Sequence, residues 1–108
     1  MSTDITEPSV ERVADLVNYQ RGAVVSREVL RNKTGTITIF AFDEGQGLSE
    51  HTAPFDAVVS VVAGEMEIMI AGAPFRVKDG ELLIMPANKP HALKAIAKSK
   101  MLLIMIRS

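Results

Sequence analysis

Residues 45–64 read GQGLSEHTAPFDAVVSVVAG, and residues 80–95 read GELLIMPANKPHALKA. The frame is Gly45-x5-His51-x-Ala53-x3-Ala57-x6-Gly64, then Gly80-x5-Pro86-x-Asn88-x2-His91-x3-Ala95. Gly64 separates two apolar runs and Gly80 follows Asp79, so both are expected at positive φ. Pro86 ends the run Leu82 to Met85, where no ladder donor is needed. Asn88 suits a left-handed backbone, which asparagine tolerates better than other side-chain-bearing residues.

Outward from the frame, the chain reads as short strands. Thr36 to Phe42 alternates polar and apolar residues with β-branched and aromatic types, a clear strand signal. Ala23–Ser26 and Glu28–Leu30 read as strand before it, with a turn at Asn32–Gly35. The run Ala57 to Ala63, broken only by Ser60, and the run Met66 to Ile70 are expected to form a hairpin turned at Gly64-Glu65. Phe75–Lys78, Leu82–Met85, His91–Ile96 and Met101–Ile106 complete the set, with a turn at Asp79-Gly80. Ahead of the strands, Val10, Val13, Leu16 and Val17 recur at helical spacing after Ser9, a candidate cap. Residues 1–8 are expected as a loose arm. Such spacing with Gly and Pro in the turns indicates an antiparallel sandwich or small barrel.

The frame resembles the two-part signature of the cupin family, G-x5-H-x-H-x3-E-x6-G and G-x5-P-x-G-x2-H-x3-N. Gly45, His51, Gly64, Gly80, Pro86 and His91 match it; Ala53, Ala57, Asn88 and Ala95 depart from it. The resemblance covers about residues 36–106. It implies an all-β double-stranded β-helix, a jelly-roll barrel, with a short N-terminal helical turn and one domain over residues 1–108. The H-x-A-P-x-D-A stretch is similar to a group of small single-domain bacterial cupins. In metal-dependent members, two histidines and a glutamate of the first motif bind one divalent ion with the histidine of the second. Here alanine stands at two of those four positions. The resemblance leaves His51 and His91 as candidate metal ligands. It adds Asp56 as a candidate ligand-binding residue, reached through a bend at Pro54. The ion, if there is one, is iron, nickel, zinc, manganese or copper. A homodimer is also implied, because the family commonly pairs N-terminal strands across protomers. Ala23-Val24-Val25 is an apolar edge that needs protection.

The 108 residues suffice for one core, and 47% of them are hydrophobic. Twelve basic residues against thirteen acidic ones give a net charge of −1 without a basic face, which disfavours nucleic acid as a partner. The absence of cysteine excludes disulfide and thiolate chemistry and suits a cytoplasmic location. The first residues do not read as a signal peptide, and no apolar stretch reaches the length of a membrane span. Met66, Met69, Met85, Met101 and Met105 lie on expected strands. Thioethers suit copper(I), but filling a core is their commoner use and is the reading adopted. Ser49 and Ser60 lack a base with an orienting acid, so hydrolase chemistry has little support.

Three functions stay open. One is a small-molecule-binding protein with His51 and His91 as hydrogen-bond partners in the barrel. The second is a metal-dependent oxygenase or isomerase with a two-histidine site completed by water, substrate or Asp56. The third is a non-catalytic accessory or sensor protein that works through its dimer surface.

Overall fold

Ile37, Ile39 and Ala41 lie on one face of their strand, and Phe40 and Phe42 on the other. Both faces are apolar, the pattern of a strand covered on both sides. The computed structural model describes residues 8–107, so the arm expected over residues 1–8 lies outside them apart from Pro8. The described residues form nine strands: β1 Val24–Asn32, β2 Gly35–Phe42, β3 Gly47–His51, β4 Asp56–Ala63, β5 Glu65–Ile70, β6 Ala73–Lys78, β7 Leu82–Met85, β8 His91–Ala95 and β9 Ser99–Ile106. A five-stranded sheet in the order β1-β2-β9-β4-β7 faces a four-stranded sheet in the order β3-β8-β5-β6. All neighbours pair antiparallel. This interleaving is the expected jelly roll.

The core lies between the sheets. Phe42, Val59, Val61, Met66, Ile68 and Met101 are fully buried there, and Phe40 stacks on Phe42 with ring centroids 5.7 Å apart. Each such side chain contributes roughly 1.5–3 kcal/mol on burial. Met66, Met85 and Met101 are core residues, as the commoner use of methionine suggests.

The hairpin expected at Gly64-Glu65 is not one. β4 pairs with β7 and β9, whereas β5 pairs with β6 and β8, so the chain crosses between sheets at Gly64. Gly64 has φ +90, as expected, but it turns a corner. The alternation that marks two strands is local and does not say whether they pair with each other. Buried Ser99 braces this corner. Its hydroxyl accepts from the Glu65 N–H at 3.0 Å and lies 2.8 Å from the Ala97 carbonyl, to which it donates. Asn88 has the left-handed backbone expected of it, φ +66.

The N-terminal helical signal becomes a single 3-10 turn, Val13–Asp15. Arg12 stands at its start with no side-chain cap, so Ser9 does not cap it. Val10 is fully exposed, while Val13, Leu16, Val17 and Tyr19 pack with Ile39, Ala41 and Leu102 on the outside of the five-stranded sheet. Apolar contact with the sheet, not helix propensity, fixes this segment. Lys100 Nζ donates to the Ala14 carbonyl and lies 4.9 Å from the Tyr19 ring centre.

Candidate functional site

β3 and β8 carry the two histidines and pair so that His51 stands opposite His91. Two positions along β8, Leu93 stands opposite Leu48. Three steps on β3 thus match two on β8, a one-residue bulge. The bulge decides the chemistry of the face. Leu48 looks into the barrel, and strict alternation would turn Glu50 inward and His51 out. The extra residue restores His51 to the face of Leu48, and Glu50 is exposed.

The two rings meet edge to face, with centroids 4.3 Å apart and an interplanar angle of 71°. Their Nε2 atoms lie 3.0 Å apart. Each Nδ1 faces a backbone carbonyl two residues earlier in its own strand or loop. His51 Nδ1 is 2.9 Å from the Ser49 oxygen, and His91 Nδ1 is 3.2 Å from the Lys89 oxygen. A carbonyl only accepts, so each ring carries its proton on Nδ1 and presents a bare Nε2 lone pair to the other. Three close contacts call for three positive or donated hydrogens, and two neutral imidazoles supply two. The Nε2–Nε2 gap therefore favours a cation or a donor group.

A third proton is an unfavourable candidate for that role. His91 is only 7% exposed, and burial pushes its imidazole below the ordinary histidine value. The Lys89 carbonyl opposes that shift, and charge on His51 reinforces it. The unfolded chain accordingly takes up a proton near pH 6.5 that the fold accepts only at lower pH. His91 thus favours the folded state fully above that value and progressively less below it. In chelator-treated protein, the melting temperature is expected to fall between about pH 7.5 and 5.5, and less steeply in His91→Ala. Equal slopes in the two proteins would remove His91 as the cause.

His51 is exposed and lines a cleft of about 470 Å³ between the sheets; buried His91 lies behind it. Phe40, Leu103 and Met105 of the five-stranded sheet form one wall. Leu48 and Ser49 flank His51 on the other, and Ala53 and Phe55 come from the β3–β4 connection. The Arg107 guanidinium lies 5.1 Å from the Phe55 ring centre. The cleft is apolar with one polar end. None of its apolar walls stands out as functional in the sequence; inward parity on β2 and β9 is the only signal for them.

Asp56 does not join the histidines. Its side chain is exposed, and Oδ1 accepts from the Ala87 N–H at 2.9 Å, tying β4 to the loop after β7. The bend at Pro54-Phe55 is present but carries Asp56 to this loop. Ala53 lines the cleft beside His51, and Ala57 is buried in the core. Ser60 lies on the outer face of β4, opposite Leu102 and Leu82. Among the described residues, no group of three or more histidine, aspartate or glutamate side chains could hold a metal ion.

Residues 38–107 match the family model described as a cupin domain. A conserved protein of unknown function from Streptococcus pyogenes is 33% identical, with a TM-score of 0.90 over 96% of this chain and 91% of that one. A cupin 2 conserved barrel domain protein from Leptotrichia buccalis is 41% identical, with a TM-score of 0.84. That match covers 87% of this chain but 46% of the other. A cupin superfamily protein from Desulfitobacterium hafniense, 22% identical, shares the fold with a TM-score of 0.88 over 99% of this chain and 97% of that one. No curated protein matches. No helix among the described residues is long and apolar enough to cross a membrane. With the family model spanning most of the chain and the barrel built as the motif spacing implies, this chain belongs to the cupin family.

Proposed function

We propose that this cupin binds a small molecule in the cleft between its sheets, with the His51–His91 pair as the polar anchor. The observation that carries the reading is the Nε2–Nε2 approach of 3.0 Å with both Nδ1 atoms directed at carbonyls. Two acceptors held against each other gain from any guest that brings a donor hydrogen or a positive charge. The rest of the cleft receives an apolar body, as a pocket with few polar groups does. Phe40, Leu48, Phe55 and Leu103 supply that surface.

The same distance favours a second reading, a divalent metal at the pair. Two imidazole nitrogens about 2.1 Å from one ion, meeting near a right angle, stand about 3 Å apart. Carbonyls that accept from the other ring nitrogen and so fix the tautomer, as those of Ser49 and Lys89 do here, are the usual companions of metal-binding histidines. The lowered proton affinity of His91 keeps its ring neutral and able to ligate. The pair thus fits as two ligands, and the remaining donors come from water or from the bound molecule. An ion held there would polarise a coordinated oxygen of the guest. His51 and His91 would orient it, and the apolar walls would exclude water.

Elemental analysis of tag-free protein beside the His51→Ala/His91→Ala variant tests the metal reading. Near one ion per chain, lost in the variant, is the expected result for it. A fragment screen by ligand-observed NMR on the same two proteins tests the wider reading. Fragments that bind wild type are expected to lose binding in the variant. Identical fragment profiles together with no bound metal would overturn both.

A further inference from the structure

We propose that the guest of the cleft is an apolar acid whose carboxylate is received by Arg107, while its donor hydrogen meets the histidine pair. The inference rests on the reading of the cleft as a small-molecule site and names the class of molecule. It begins with parity on β9. Leu103 and Met105 line the cleft, and side chains two apart on a strand share a face. Position 107 is the next on that face. Arg107 lies one residue past the end of β9, yet its N–H still donates to the Thr34 carbonyl at 2.7 Å. That bond continues the register of the Thr36–Met105 and Gly35–Ile106 pairs. The apolar run from Met101 to Ile106 thus ends in a cation on the cleft side. The Arg107 guanidinium stands 5.1 Å from the centre of the Phe55 ring, which is itself part of the cleft wall.

The surroundings of the guanidinium select the ligand. Arg12, Arg31 and Arg76 are ion-paired, and Arg27 donates to the Leu16 carbonyl. Among the described residues, Arg107 has the Phe55 ring and no carboxylate partner. Contact with a ring steadies a long side chain without engaging its N–H donors. Those donors form a fork that matches the two oxygens of a carboxylate. Among the described residues no acidic side chain lines the cleft, and Asp56, beside Phe55, directs Oδ1 to the Ala87 N–H. One cation suits one negative charge; a phosphate dianion calls for a second cation that the lining does not hold. The guest therefore has three parts: a donor hydrogen for the bare Nε2 pair, an apolar body against Phe40, Leu103 and Phe55, and a carboxylate for Arg107. Facing sheets lie about 10 Å apart, which sets the rough length between its two polar ends. A hydroxy acid with an aromatic or aliphatic body has this form.

Three phenols test the assignment separately from the reading beneath it: 4-ethylphenol, 3-(4-hydroxyphenyl)propanoate and the methyl ester of that acid. Dissociation constants are measured by NMR titration at low salt in wild type, Arg107→Gln, Arg107→Lys and His51→Ala/His91→Ala. Arg107 is exposed, so its variants are expected to fold as wild type does. All three phenols are expected to bind wild type and to weaken in the double-histidine variant. The acid is expected to bind wild type about 5- to 10-fold more tightly than its ester, the range of a two-pronged ion pair open to water on one side. Arg107→Gln is expected to abolish that preference without moving the ester, and Arg107→Lys to restore part of it. If 4-ethylphenol and the ester bind wild type and the acid binds no tighter, the assignment of Arg107 is overturned while the cleft reading stands. A preference that Arg107→Gln retains would overturn it in the same way. Failure of all three phenols to bind wild type would overturn the inference together with its footing in the cleft.

Discussion

Gly64→Ala is expected to cost about 3 kcal/mol or more, and Gly80→Ala much less, although the two glycines have nearly the same backbone. Their φ values are +90 and +84. A side chain in the left-handed region costs roughly 1–2 kcal/mol at either place. The difference lies in what a Cβ would meet. At Gly80 there is no heavy atom within 4 Å. At Gly64 the added carbon falls on the Lys98 carbonyl oxygen and the Ser99 hydroxyl, and neither can retreat. Ser99 is buried and holds the Glu65 N–H, so displacing it leaves a partly buried donor short, at up to roughly 1–3 kcal/mol. Melting temperatures measure both variants, and Gly64→Ala should lose on the order of 15 °C. Equal losses would mean that the corner between the sheets relaxes freely.

Ala53→His is expected to strengthen divalent metal binding, in the opposite direction from removal of His51 or His91. Ala53 borders the same cleft as His51, two positions along the chain. A third imidazole there would raise the donor set from two to the three that catalytic zinc usually has. The gain should exceed the roughly 10–100-fold that even an outer-shell partner is worth. Competition against a colorimetric chelator measures it in wild type, Ala53→His, and Ala53→His with His91→Ala. The last should fall back to two-ligand affinity. If the single variant binds no tighter than wild type, a third ring at position 53 does not converge with the pair.

Much of the barrel was legible because its signals are local. Alternation marked β2, turn residues bounded β6 and β7, and Asn88 betrayed its left-handed backbone. Which strands pair is not local, so Gly64 read as a hairpin turn although it joins two sheets. The N-terminal stripe Val13, Leu16 and Val17 was legible as apolar contact but not as a single 3-10 turn, because the sheet beneath sets its shape. At the site, His51 and His91 were legible as a spaced pair. Their direct contact was not, because it depends on a bulge between Leu48 and His51 that no residue type announces. Asp56 had the chemistry of a ligand, but the Ala87 N–H claims one of its oxygens and the histidines lie elsewhere. The aliphatic row Leu30, Ile37, Ile104, Val58 and Ile84 on the outer face, not buried among the described residues, was written in the apolar runs of β2 and β9, although only their registers align it.

The position of β9 has a kinetic consequence. Ser99–Ile106 follows the other eight described strands in the chain and lies between β2 and β4, the two long strands flanking it in the sheet. Until those residues are synthesised, Phe40 and Val61 lack Met101, the partner that stands between them. Every pairing β9 makes spans dozens of residues, and such distant pairings fold slowly because loop closure precedes any reward. A nascent chain that has all its glycines and both histidines therefore still lacks its barrel. During synthesis the apolar strands β2 and β4 wait uncovered, which makes that interval the one most exposed to aggregation.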